Sequence, residues 1–131
     1  MKRRLPELLA LALVALFALA VYGCAAGSSA SDIKTVVPNG DAGHGKQLLS
    51  SYGCGACHAI PGVRNADGKV GPPLTAFRDR GYIAGKLVNT PDNLKHWIQD
   101  PQGVDPGVDM PEMGVTDQDA MDMVAYLYTL H

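Results

Sequence analysis

The chain is poor in cysteine, with three in 131 residues. Cys54 and Cys57 sit three apart, and no second Cys or His pair with ligand spacing follows them, so a structural zinc site would lack half of its ligands. A strand–helix–strand setting is missing as well. A short helical pattern leads to Cys54 and a Gly/Pro-rich loop follows, which argues against a thioredoxin-like dithiol. Basic residues are not in excess, at 11 Lys and Arg against 13 Asp and Glu, for a net charge of −2. A nucleic-acid-binding role has no support from that balance. Internal repeats are absent. The longest apolar run, Leu8 to Tyr22, is short for a helix crossing a bilayer of about 30 Å, unless the small residues up to Ala30 extend it.

What is present is concentrated in five residues, Cys54-Gly55-Ala56-Cys57-His58. A C-x-x-C-H run reads as a covalent haem attachment site. Thiols three positions apart fall on one face of a helical turn and can reach the two vinyl groups on one porphyrin edge. The adjacent His58 can then place its imidazole under the iron as the proximal ligand. The predicted cofactor is one covalently bound haem c.

The length leaves room for one domain behind a targeting segment. Residues 1–24 read as an export signal, with Lys2, Arg3 and Arg4 ahead of the apolar run and Gly23-Cys24 after it. Cys24, left over once the haem pair is assigned, resembles the lipobox cysteine of bacterial lipoproteins, which is acylated and becomes the mature N-terminus. An uncleaved signal anchor and cleavage to a soluble form are the other outcomes of the same signal. All three place the domain outside the cytoplasm, where c-type haem is attached. Residues 25–39, rich in Ala, Ser and Gly, read as a flexible linker with a reach of about 20 Å. Residues 25–131 hold eight basic and twelve acidic residues, a net of −4. The acidic ones gather late, at Asp100, Asp105, Asp109, Glu112, Asp117, Asp119 and Asp122, as a solvated face or as a steering patch for a basic partner.

Residues 40–131 form the predicted domain. Asp41 is placed to cap a helix carrying Leu48, Leu49 and Tyr52, and Gly45 within it suggests a close helix contact. From Pro61 to Gly81 the chain is irregular, which a small domain tolerates when the loop packs on another surface such as a haem. Thr90-Pro91 starts a helix whose Leu94, Trp97 and Ile98 share a face, and Pro101 stops it. Thr116 starts the last helix, predicted over Asp117–Leu130, where only Gln118, Asp122 and Thr129 form a polar sector. An apolar arc that wide implies burial on two sides.

A sixth iron ligand has to come from Met110, Met113, His44, His96 or His131, or the position stays open. Met110 lies in a loop between Pro106-Gly107 and Pro111 that can reach the face opposite His58, while Met121 and Met123 belong to the apolar pattern of the last helix. A thioether ligand favours ferrous iron and suits a one-electron carrier.

In order and spacing, Gly45 and Leu49, the Cys54–His58 run, Gly71-Pro72-Pro73-Leu74, Met110-Pro111 and Ala125-Tyr126-Leu127 resemble a class I cytochrome c over about residues 40–130. Tyr82, Asn89-Thr90-Pro91, Trp97, Asp100-Pro101-Gln102 and Met110-Pro111 are especially similar to the cytochrome c domain of bacterial cytochrome oxidase subunit II. The resemblance implies an all-α fold of three to five helices and long loops around one haem. It implies that the Pro72 carbonyl accepts the other N–H of His58 and that Met110 is the distal ligand, with Met113 the alternative. It also implies that Gly45 and Leu49 cross the last helix near Met123 and Tyr126. Arg80 and Trp97 become candidates for contacts with the haem propionates, against readings as an exposed charge and core packing. The lysine ring around the haem edge of mitochondrial cytochrome c is missing.

The expected function is one-electron transfer in a bacterial respiratory chain, without catalysis by the domain itself. The resemblance implies a quinol:cytochrome c reductase or a dehydrogenase as donor and a terminal oxidase as acceptor, on the periplasmic side of the envelope. The alternatives are a haem subunit of a periplasmic dehydrogenase and a ligand-binding sensor with an open iron. A peroxidase would be expected to carry a second C-x-x-C-H, and this chain has one.

Overall fold

Asp41 accepts the His44 N–H at 3.0 Å and so caps the first helix, α1, Ala42–Ser51. The computed structural model describes residues 36–131, so the expected export signal, Cys24 and most of the expected linker lie outside the described residues. Gly53, in the left-handed region at φ 75, ends α1 and turns the chain into the one-turn 3-10 segment Cys54–Ala56. A long irregular stretch follows, then a hairpin of β1, Tyr82–Ile83, and β2, Leu87–Val88, paired antiparallel. Ala84 and Gly85 in its three-residue connection both have positive φ, and Lys86 N–H closes a tight turn around them on Ile83 O at 2.9 Å. Next come α2, Pro91–Gln99, α3, Pro101–Val104, and α4, Asp117–Leu127. The described residues form an all-α fold, four helices with a two-residue-strand hairpin and long loops.

The capping chemistry places these helices. The Thr90 hydroxyl accepts the Asn93 N–H ahead of Pro91, and the Thr116 hydroxyl accepts the Asp119 N–H, both at 3.3 Å. Pro101 ends α2, as expected, but it also opens α3, where the Asp100 carboxylate caps Gly103 at 2.7 Å. Regular α4 stops at Leu127 rather than at Leu130, and the turn beyond it is tied down by Arg78 N–H donating to Leu130 O.

α1 crosses α4 with the two backbones in contact. A Cβ on Gly45 would overlap the carbonyl of Asp122 and lie 2.8 Å from the Met123 nitrogen. Gly45 costs α1 about 1 kcal/mol of helix propensity, and the closeness of the crossing accounts for it. Leu49, Met123, Val124 and Leu127 fill the seam, all at most 2% exposed, each worth roughly 1.5–3 kcal/mol of burial. Two expectations are corrected here. Asp122 does not belong to a solvated acidic face: it is 3% exposed and accepts from Asp41 N–H at 2.9 Å and Gln118 Nε2 at 2.9 Å, while facing His44 Nδ1 at 2.8 Å. Asp41 and His44 arrive from the start of α1 and Gln118 from the preceding turn of α4, so the burial is a consequence of the crossing. Val37, in the expected linker, is fully buried in the core, and the packed body therefore reaches back at least to it.

Candidate functional site

The first turn after Gly53 is closed by Cys57 N–H and His58 N–H, which both donate to Cys54 O, at 3.2 and 3.0 Å. That turn gathers Cys54, Cys57 and His58 on the wall of one cavity of about 330 Å³, within the range of small-ligand pockets. The rest of the lining is predominantly apolar and draws on three of the helices and the loops between them, including Leu49 from α1, Phe77 and Ile83, Leu94 and Trp97 from α2, and Met123 and Leu127 from α4. Pro72, Arg80, Met110 and Met113 line it as well.

The imidazole of His58 is held from two directions. Its Nδ1 lies 2.7 Å from Pro72 O, and since a carbonyl only accepts, Nδ1 carries the proton and donates. The lone pair is then on Nε2. Gly71 packs against the ring so closely that a Cβ there would overlap Cε1 and lie 2.7 Å from Nδ1. The strap bearing Gly71 and Pro72 is tied to the Cys-x-x-Cys-His turn by Gly68 N–H to Gly55 O, Gly71 N–H to Cys57 O and Leu74 N–H to Ala59 O, at 2.8–3.1 Å. Burial pushes the Cys54 thiol above its ordinary pKa, with the neighbouring Cys57 adding to the rise, so the thiol is held protonated.

The remaining candidates separate cleanly. Of the five residues considered for a distal ligand, Met110 and Met113 line the cavity, whereas His44, His96 and His131 do not. His44 is engaged with Asp122, His131 lies 3.6 Å from Asp79, and His96 is on the exposed side of α2. Met110 is half-buried and Met113 is 41% exposed. Met123 also borders the cavity, as a fully buried core residue. Trp97 is 9% exposed and faces the cavity from α2. Arg80 is not a free surface charge: Nη2 donates to Pro73 O and Thr75 O, and its guanidinium stands 5.0 Å over the Phe77 ring. Sequence reasoning missed Tyr52, Phe77, Val70 and Tyr82 as cavity residues: Val70 and Phe77 stand alone in irregular chain, Tyr52 caps the end of α1 and Tyr82 belongs to a two-residue strand, and none of these settings carries a periodic signal. Among the described residues no group of three or more His, Cys, Asp or Glu could hold a metal ion, which leaves no zinc-type cluster there.

Comparison with known proteins agrees with this arrangement. The family model for cytochrome c matches residues 42–131. Cytochrome c oxidase subunit 2 of Alkalihalophilus pseudofirmus is 38% identical over 90 residues, covering 68% of this chain and 25% of that protein. The same subunit of Bacillus sp. strain PS3 is 38% identical over 76 residues, 56% of this chain and 21% of that protein. Cytochrome c2 of Rhodopila globiformis is 38% identical over 106 residues, 71% of this chain and 96% of that protein. The chain thus spans a quarter or less of the oxidase subunits but nearly all of cytochrome c2. It belongs to the cytochrome c family, whose domains carry electrons rather than catalyse reactions, and it is related to the cytochrome c domain of oxidase subunit 2.

Proposed function

We propose that this domain carries one haem c, bonded through Cys54 and Cys57 and ligated by His58 and Met110, and passes single electrons toward a terminal oxidase. The observation that carries the reading is the His58–Pro72 hydrogen bond on the wall of the cavity that both thiols line. With Nδ1 committed to a carbonyl, Nε2 keeps its lone pair for a metal, and the carbonyl raises the basicity of that donor. The residues therefore fit the group. Cys54 and Cys57, both free thiols, would hold the group through thioethers, each made by adding its S–H across a vinyl group, sulfur to one carbon and hydrogen to the other, which requires both to be reduced. When bound, the haem supplies the ferric/ferrous couple.

The chain's own residues do the remaining work. His58 and Met110 would hold the iron, the apolar lining would keep water from it, and the Met110 sulfur would favour the ferrous form. Trp97 and Arg80 both line the cavity, and on this reading Trp97 through its indole N–H and Arg80 through Nη1 and Nε would bind the propionate carboxylates. Donors on this reading are a quinol:cytochrome c reductase or a dehydrogenase. The domain works on the periplasmic side of the envelope, held by residues 1–24 through acylated Cys24 or as an uncleaved anchor. Among the described residues no helix is long and apolar enough to cross a membrane.

An optical spectrum of the oxidised protein tests the ligand pair. The weak sulfur-to-iron charge-transfer band is expected in the native protein and in Met113→Ala, and lost in Met110→Ala. Its survival in Met110→Ala would overturn the assignment. Rapid carbon monoxide binding to the reduced native protein would point instead to an open iron. An intact-mass measurement on the mature chain decides the anchor: a lipid mass on Cys24 supports the lipoprotein and an unprocessed Met1 rejects it.

A further inference from the structure

Met110 and Met113 lie on the connection between α3 and α4, residues 105–116, which has almost no backbone order of its own. Val108 N–H closes one turn on Asp105 O at 3.1 Å, with Gly107 at φ 89. Beyond it, among the described residues, no backbone group of residues 109–115 hydrogen-bonds to another backbone group. Two glutamine side chains supply what is missing. Gln102 Nε2 donates to Val108 O at 2.6 Å and to Met110 O at 3.0 Å, while its Oε1 accepts Gly107 N–H at 3.2 Å. Gln99 Nε2 donates to Val115 O at 3.2 Å and to Asp117 Oδ1 at 3.0 Å. The Gln102 amide has one workable orientation, because a flip would set its oxygen against two carbonyl oxygens.

We propose that Gln102 is a positioning residue for Met110: by holding the Met110 carbonyl and the turn before it, Gln102 sets the loop so that the thioether is presented to the iron, with Gln99 fixing the far end. This inference rests on the reading of Met110 as the distal ligand. Pro106 and Pro111 have no N–H to contribute, so the loop cannot replace these ties with a ladder of its own. Without them, the population in which the sulfur stands away from the iron rises. An added ligand binds that population, and its apparent affinity rises in proportion.

The test uses the haem-loaded full chain and imidazole as the probe. Gln102→Leu removes all three bonds at similar volume, and Gln102→Glu keeps the shape but turns oxygen toward two carbonyls. Both are expected to weaken the sulfur-to-iron band, lower the reduction potential and tighten imidazole binding to the ferric protein by about tenfold, which corresponds to ~1.4 kcal/mol. Tyr126→Phe, which removes a 2.7 Å bond to Pro61 O away from the cavity, is the reference for a purely structural loss. It lowers the unfolding midpoint and leaves imidazole affinity unchanged. Unchanged affinity and potential in both Gln102 variants, or an equal response in Tyr126→Phe, overturns the inference. A band surviving in Met110→Ala defeats the ligand reading itself; loss of the band there with no response at Gln102 defeats this inference alone.

Discussion

Gly71 carries more of the site than its lack of a side chain suggests. Its backbone is not in the left-handed region, so alanine is conformationally acceptable there, and the obstacle is entirely the His58 ring. A methyl group forces either the imidazole or the strap to move, and both motions lengthen the Nδ1 to Pro72 O bond that fixes which nitrogen holds the proton. Gly71→Ala is therefore expected to destabilise the fold by about 1–3 kcal/mol, as overpacking does. It should also lower the affinity of His58 for iron, because a displaced ring loses its second-sphere support. A denaturant titration of the haem-loaded protein, followed both by far-ultraviolet dichroism and by the haem absorption band, checks this. Loss of the haem signal before the helical signal is the expected order, and coincident transitions at the native midpoint would refute the steric argument.

At the scale of elements, the α1–α4 crossing is held by two unlike contacts: the glycine approach at Gly45 and the polar group beside it. The bond to Asp122 raises the His44 pKa above 6.5, partly opposed by desolvation and helped by the charges of Asp122, Asp119 and Asp41. Burial works to raise Asp122, but Asp41 N–H, His44 and Gln118 together hold it below 3.8. A raised histidine contributes fully below its unfolded pKa of 6.5 and loses that contribution as pH rises through the folded value. A depressed carboxylate contributes above 3.8 and loses its share as pH falls through the folded value. The two overlap fully between pH 3.8 and 6.5. In urea titrations the stability difference between the native chain and His44→Gln should be greatest in that window and shrink above it; a pH-independent difference would refute the pairing. This cluster also marks where sequence reading stops. Caps such as Thr90-Pro91 and the Cys54–His58 run were legible because their partners lie within a few residues. The burial of Asp122, the Gln102 bonds and the two-residue strands depend on what a distant element brings, and no local pattern encodes that.

For the molecule as a whole, charge and apolar surface are distributed unevenly around the cavity mouth. Residues 101–131 contain no Lys or Arg. Several of the acidic residues there are already engaged, Asp105 with Lys86 at 3.2 Å, Asp117 with Lys95 at 3.0 Å and Asp122 within the crossing. Asp109 and Glu112, flanking Met110, are exposed and have no ion pair among the described residues. Val70, Tyr82 and Met113 line the cavity yet are 74%, 63% and 41% exposed, so the rim is apolar. Electrons carried by a group held in the cavity would leave through this rim, and the two features would act on different parts of association. Two exposed charges steer the encounter and are screened by salt, with a Debye length of about 8 Å at physiological ionic strength. Apolar contact at the rim is insensitive to salt. Stopped-flow oxidation of the reduced domain by a terminal oxidase, over a range of ionic strength, separates them. Replacing Asp109 and Glu112 by their amides should flatten the salt dependence of the second-order rate while leaving the high-salt rate unchanged. Tyr82→Ser should lower the rate by a similar factor at every salt concentration. A Tyr82→Ser rate equal to the native one throughout would mean that electrons leave by another face of the molecule.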